Sequence, residues 1–210
     1  LPSPMPRFGP TYQDRPVLAV GQVNRHGEPG AAVVAETRDG ADAAARAVRV
    51  DYRELPGVYT LEDALAPDAH LVQARMRQPG NDTVATNVLE TANYAWGDLA
   101  AEQARASVVV ENTYTFPMVT HFPIEPGGTV AVPTDQGGVE IYSPVQHPYL
   151  LQRTIAAILG FPLNQVRVFA PDPGGAFGGK QNPKLEPLLA FLALRTQRTC
   201  RIVFSLEETF

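Results

Sequence analysis

One cysteine, Cys200, stands in 210 residues. A disulfide framework is therefore excluded, and a reducing, cytoplasmic setting is the expectation. The four histidines, His26, His70, His121 and His147, show no metal-ligand spacing, so no zinc centre is expected. Basic runs are missing and the net charge is −5, which argues against nucleic acid or an anionic membrane as partner. No apolar run is long enough to span a bilayer, and no signal-peptide pattern is present. Neither a Gly-x-Ser-x-Gly elbow nor a Cys–His couple appears, which removes the common routes to nucleophilic catalysis. Internal repeats and low-complexity tracts are absent too.

What the chain does have is a globular composition, 44% hydrophobic and 19% charged, and enough length for one large or two modest domains. It starts at Leu1 in a proline-rich segment and stops at Phe210 just after LEET, so both ends read as cut from something longer.

The most informative stretch runs from Gln165 to Leu194, above all PDPGGAFGGKQNPKLEP at Pro171 to Pro187. A β-rich segment, QVRVFA, leads into four glycines, Gly174, Gly175, Gly178 and Gly179, with Phe177 between the pairs. Glycine serves where φ must be positive or where a ligand must approach the backbone. Strand, glycine loop and helix in succession present backbone N–H groups to an anion. A cradle for a cofactor and a tight structural corner are both open on this pattern; two glycine pairs around one aromatic favour the cradle.

In chain order, Leu1 to Pro16 holds five prolines and reads as an extended arm. Strands are predicted at Val17–Val23, Ala31–Glu36 and Val48–Leu55, around an alanine-rich helix at Ala41–Val48 capped by Thr37 or Asp39. Leu61–Leu65 reads as one helical turn. Asp68 to Thr91 is weakly patterned and a candidate linker, with a turn at PGND. A short helix follows at Gly97–Ala106, capped near Asp98, and then a long β-branched strand over Ala106–Phe116. Thr129–Val132 and Val139–Tyr142 read as a hairpin. Leu151, Ile155 and Leu159 make the apolar face of a helix stopped by Gly160. After the glycine loop come an apolar helix and a last strand with Ile202, Phe204 and Leu206 alternating.

Gly174 to Lys180 also satisfies G-x-x-x-x-G-K, the start of a nucleotide-binding P-loop. Its next position should be Ser or Thr and is Gln181, and Pro183 and Pro187 would fall in the first turns of the required helix. His121 with Glu125 in HFPIE could be an acid/base pair or a structural hydrogen bond; the second is the expectation. Gln146, just before a helix, is by itself a capping or core-satisfying amide.

From His121 to Glu208 the chain resembles the molybdopterin-binding large subunit of the xanthine dehydrogenase/aldehyde oxidase family of molybdenum hydroxylases. The matches are HFPIEP, SPVQHP around Gln146, QVRV at Gln165–Val168, GGAFGGK, and the tail ending in VFSLEE. The earlier stretch GEPGAAVVAETRDGADAAARAVRVDYREL is similar to the α/β hammerhead domain of that subunit.

The resemblance implies an α+β fold. Residues 1–67 would form part of the hammerhead domain with its arm, 68–96 a linker, and 97–210 the N-terminal part of the molybdopterin-binding domain. It implies a share of an oxidoreductase that hydroxylates N-heterocycles or aldehydes with oxygen from water. Cofactor contacts fall on Gln146, Gly175, Ala176, Phe177 and Gly178, with Gln146 donating to an oxo group at the metal. Gln181 stands where purine-oxidising members carry a glutamate; it is the candidate substrate residue and puts purine in doubt. The catalytic base of the family lies beyond Phe210, so this chain alone is expected to be incomplete and inactive. Implied partners are the C-terminal half of the subunit, iron–sulfur and flavin (FAD) subunits and a small-molecule substrate. Two other classes remain open at this point: a non-catalytic assembly subunit of such a complex, and a P-loop phosphate binder.

Overall fold

The computed structural model describes residues 4–9, 12–78 and 80–209. In chain order the elements are β1 (Arg7–Phe8), β2 (Arg15–Pro16), α1 (Arg38–Ala47), α2 (Leu61–Leu65), β3 (Arg77–Gln78), β4 (Asn81–Ala85) and α3 (Leu99–Arg105). They continue with β5 (Gly128–Pro133), β6 (Val139–Tyr142), α4 (Pro148–Leu159), β7 (Val166–Phe169), α5 (Glu186–Thr196), β8 (Cys200–Val203) and α6 (Leu206–Thr209). By proximity these fall into two units, Leu1–Arg49 with Val119–Phe210, and Val50–Met118.

The first unit carries the core. Its sheet has the order β7-β6-β5-β8. β5 pairs antiparallel with both β6 and β8, and β6 runs parallel to β7. The parallel pair requires a crossover, and α4 supplies it. Residue alternation then sorts the two faces. Ala131, Val139, Ile141, Val166 and Cys200 turn inward and are buried against Leu151 and Ile155 of α4 and Leu189, Ala190 and Ala193 of α5. The opposite face carries the Arg167–Glu140 ion pair and the Tyr142–Phe169 stack. Burying each of Ile141, Leu151 and Ile155, which are fully inaccessible, is worth about 1.5–3 kcal/mol relative to exposure.

Helix boundaries follow local chemistry. α4 opens on Pro148 and closes on Gly160, whose φ of 69° lets it cap the helix in the left-handed region. α5 opens at Glu186, so Pro187 lies in its first turn, where no N–H is needed. The arm docks rather than merely crossing a surface: β1 pairs with β2, and Phe8 and Val17 are buried with Ile158 and Leu188. α1 is capped by Thr37, whose hydroxyl accepts from Gly40 N–H.

The second unit has no buried residue among those described. Local devices hold it: a capping box between Thr60 and Asp63 on α2, Asp98 capping α3, and an irregular β3–β4 hairpin. Asn87 ties three chain segments, donating to Ala64 and His70 carbonyls and accepting from Val72 N–H.

Several predicted strands do not form. Val17–Val23 contributes only an isolated bridge between Val20 and Gln22, and Ala31–Glu36, Val48–Leu55 and Ala106–Phe116 contain no strand. β-branched residues favour a pleated surface only when a neighbouring strand provides one. Val108, Val109 and Val110 are exposed, and no described strand lies beside them.

Candidate functional site

Two loops leave the sheet at the same edge, because β6 and β7 are parallel neighbours. After β6, Ser143 N–H donates to Phe169 O, Val145 is buried, and Gln146 follows just before α4. After β7, the chain enters the glycine loop and reaches α5 only at Glu186. The carboxyl ends of parallel strands are where α/β sheets place ligands, and here they bring Gln146 and the loop together. Gln146 N–H donates to Lys180 O at 2.9 Å, and Lys180 N–H donates to Gln146 Oε1 at 3.2 Å.

The loop lies flat on the segment His121–Glu125, which is why it needs glycine. A Cβ on Gly174 would sit 2.7 Å from Glu125 Cβ, and one on Gly179 would sit 3.1 Å from the His121 ring. Gly175 and Gly178 have φ of 98° and 94°, and Phe177 between them has φ of 51°. A phenylalanine in the left-handed region is uncommon and marks a constrained site. Its ring is 74% exposed, whereas Ala176 is buried and Gln181 exposed.

Half of the backbone donors from Gly174 to Gln181 are uncommitted. Gly174 N–H goes to Glu125 Oε2 at 2.8 Å, Gly179 N–H to Ala176 O and Gln181 N–H to Gly178 O. The N–H groups of Gly175, Ala176, Phe177 and Gly178 have no partner among the described residues, nor has the Gln146 carboxamide nitrogen. Successive free N–H groups in a turn of this kind form a nest for oxygen acceptors.

One charge pair underpins the loop. Lys180 is 8% exposed, and its ammonium donates to Glu125 Oε2 at 2.5 Å. That hydrogen bond, against the opposing effect of burial, holds the Glu125 carboxyl below its ordinary range. Sequence reasoning did not pair these residues. Glu125 bonds Lys180 rather than His121, whose ring lies against Gly178 and Gly179. Their separation of fifty-five residues leaves no local signal. The P-loop arrangement is likewise not formed: the lysine side chain is bound to a carboxylate, and the helix does not start at the Gly-Lys pair.

Beneath the loop, Thr129 Oγ1 donates to Ser143 Oγ, which donates to Glu186 Oε1, while Glu186 Oε2 accepts from Lys184 N–H. The side chains of Thr129, Ser143 and Glu186 are all buried. They line a cleft together with His121, Lys180 and Phe204. The signal for it was Glu186, an acid at the head of an otherwise apolar helix.

The family model described as molybdopterin cofactor-binding domain matches residues 81–210, and the one described as aldehyde oxidase and xanthine dehydrogenase, α/β hammerhead domain, matches residues 1–56. This chain belongs to the xanthine dehydrogenase/aldehyde oxidase family. Family relatives include a probable xanthine dehydrogenase subunit from Bacillus subtilis, 36% identical over 97% of this chain and 26% of its own length. The nicotinate dehydrogenase large molybdopterin subunit of Eubacterium barkeri is 30% identical over 97% of this chain and 45% of its own length. Among solved structures, the quinoline 2-oxidoreductase of Pseudomonas putida 86 superposes with a TM-score of 0.79 at 31% identity, over 93% of this chain and 24% of that one. The aldehyde oxidoreductase of Desulfovibrio gigas gives 0.79 at 29% identity, over 98% and 22%. The chain thus spans between a quarter and a half of the length of these two curated relatives. No described helix is long and apolar enough to cross a membrane.

Proposed function

We propose that this chain forms one wall of a molybdopterin pocket in a molybdenum hydroxylase acting on N-heterocycles or aldehydes. The observation that carries the proposal is the set of neutral donors without a partner among the described residues at the edge of β6 and β7: the N–H groups of residues 175–178 and the Gln146 carboxamide nitrogen. A cofactor rich in oxo and phosphate oxygens requires such donors, and the adjacent charges are already neutralised between Glu125 and Lys180. Gly178 leaves the backbone open to close approach, since only the His121 ring lies near its missing Cβ. When bound, the group supplies transfer of oxygen from water to a substrate carbon.

The residues of this chain then have distinct tasks. Gln146 Oε1 is engaged by Lys180 N–H, so its nitrogen is the end left to donate to a cofactor oxygen. Gly175, Ala176, Phe177 and Gly178 supply backbone donors and a close-approach surface, and the exposed Gln181 side chain faces substrate. The names of the relatives, which include xanthine, nicotinate, quinoline and aldehyde, support these two substrate classes. Residues 1–67 then belong to the hammerhead domain, 68–96 to a linker and 97–210 to the first part of the cofactor domain. The remainder of the subunit, which carries the catalytic base, and iron–sulfur and flavin subunits complete a cytoplasmic enzyme. A P-loop phosphate site would need Lys180 free and a helix starting at the Gly-Lys pair, whereas Lys180 is bound to Glu125 and α5 starts at Glu186. An assembly-only role leaves the uncommitted donors without a task.

The test is expression of the chain joined to the remainder of its subunit, with Gln146→Ala and Gln181→Glu variants. Gln146→Ala should lower oxidation about 10–100-fold with the fold intact, as loss of an outer-shell hydrogen bond at a metal centre does. Gln181→Glu should change relative rates across a panel of N-heterocycles and aldehydes at equal molybdenum content. Unchanged rates in both variants at equal metal content would remove Gln146 and Gln181 from the pocket and refute the reading.

A further inference from the structure

Three bonds of the loop converge on one residue. Lys180 gives its side chain to Glu125, its N–H to Gln146 Oε1 and its carbonyl to Gln146 N–H. Glu125 in turn accepts from Gly174 N–H, at the other end of the glycine arc, and its own N–H donates to Gly174 O at 3.3 Å. The first and last fixed points of the arc, residues 174 and 180, are therefore held by one carboxylate oxygen, Glu125 Oε2. Between them the chain has no apolar anchor except Ala176, because Phe177 points to solvent. Lys180 is buried, and among the described residues Glu125 is the one hydrogen-bond and ion-pair partner of its ammonium, so the ammonium is committed to that bond.

We propose that the Glu125–Lys180 pair is a positioning device that sets the carboxamide of Gln146 and the donor arc 175–178 in register with each other. It rests on the pocket reading of the preceding subsection and assigns to it two residues that touch neither cofactor nor substrate. The mechanism is mechanical. Gln146 can rotate its amide, and without a fixed Lys180 N–H it has no reason to keep nitrogen outward. The lysine backbone is fixed only if its side chain is, and the carboxylate that fixes it also closes the arc at Gly174. Neutral residues at 125 and 180 could fill the space, but neither would tie the two ends to a common point.

The experiment uses the isotopically labelled chain without cofactor and reads backbone amide exchange together with the Gln146 carboxamide resonances. Lys180→Met and Glu125→Gln should each speed exchange at Gln146 N–H and Lys180 N–H on the order of tenfold, as loss of a charge-assisted bond does. The Gln146 carboxamide resonances should shift in the same variants. Lys180→Arg, which keeps the charge, should restore exchange to within about threefold of the parent. Protection at Ile141 and Leu151 reports whether the core is intact. If Lys180→Met loosens the core as well, Glu125→Gln, altered at the more exposed partner, decides alone. Exchange changed at Gly174 only, with Gln146 and Lys180 unaffected, would overturn the proposal. Because no cofactor is present, that failure would leave the pocket reading standing. Conversely, oxidation rates left unchanged by both Gln146→Ala and Gln181→Glu would sink the pocket reading without touching the exchange data.

Discussion

Replacing Gly174 by alanine separates contact from conformation at the loop. Gly174 does not have positive φ, so any loss must come from what the new methyl meets. An ideal Cβ there lies 2.7 Å from Glu125 Cβ. Carbon atoms rest at about 3.5–4.0 Å, so the two chains must part by about 1 Å. The bond from Glu125 N–H to Gly174 O is already 3.3 Å and would be lost, and the 2.8 Å bond from Gly174 N–H to the carboxylate would be stretched. Both are partly exposed, so the combined loss should be about 1–3 kcal/mol rather than the sum of fully buried values. Gly137→Ala is the counterpart: its φ is 79° and nothing lies within 4 Å of a Cβ, so it should cost about 1–2 kcal/mol from backbone alone and leave the loop untouched. The assay is urea unfolding by far-UV circular dichroism, with deuterium exchange over residues 171–185. Tryptophan fluorescence is unsuitable, because Trp96 belongs to the other unit and is exposed. Glu125→Gly removes the opposing Cβ, so in that background Gly174→Ala should lose about 1 kcal/mol or more of its effect. Strict additivity of the two substitutions would refute the contact.

Acid should loosen the loop through one group. The Glu125 carboxyl is held below its unfolded-state value, chiefly by the Lys180 hydrogen bond. Its contribution is therefore complete above the unfolded value and is lost as pH falls through the lower folded one. Loop exchange, corrected for intrinsic rates, should rise only on that acid side, and Glu125→Gln should flatten the profile; an identical profile in the variant would refute the assignment. Ser143→Ala should cost about 1–3 kcal/mol in urea unfolding, because it leaves buried Glu186 and Thr129 each short of a partner. A loss below about 0.5 kcal/mol would mean that water replaces the hydroxyl.

Most legible in the sequence were elements whose turn, cap or partner lies close along the chain, although β8 was also read and pairs with the distant β5. The β5–β6 hairpin, α4 with its Gly160 stop, and α5 were readable because turn chemistry and apolar period agree there. Ala106–Phe116 has as strong a β pattern, yet a strand is a property of two segments, and no second one lies beside it among the described residues. The juxtaposition of Gln146 with the loop was expected through resemblance; the backbone exchange with Lys180 that achieves it was not. Glu125 was seen beside His121 because they share one segment, whereas its partner comes from across the fold. Charge pairs of high sequence separation leave no period to read.

The glycine loop is held by main-chain bonds and one ion pair, and its single large apolar side chain, Phe177, already faces solvent. Opening it would expose little hydrocarbon, so the local equilibrium should carry almost no heat-capacity change. The core beneath, built on Ile141, Leu151 and Ile155, must follow a curved stability profile with a maximum. The two will therefore respond differently to cooling and to salt: the core weakens in the cold while the loop does not, and added electrolyte loosens the loop while sparing the core.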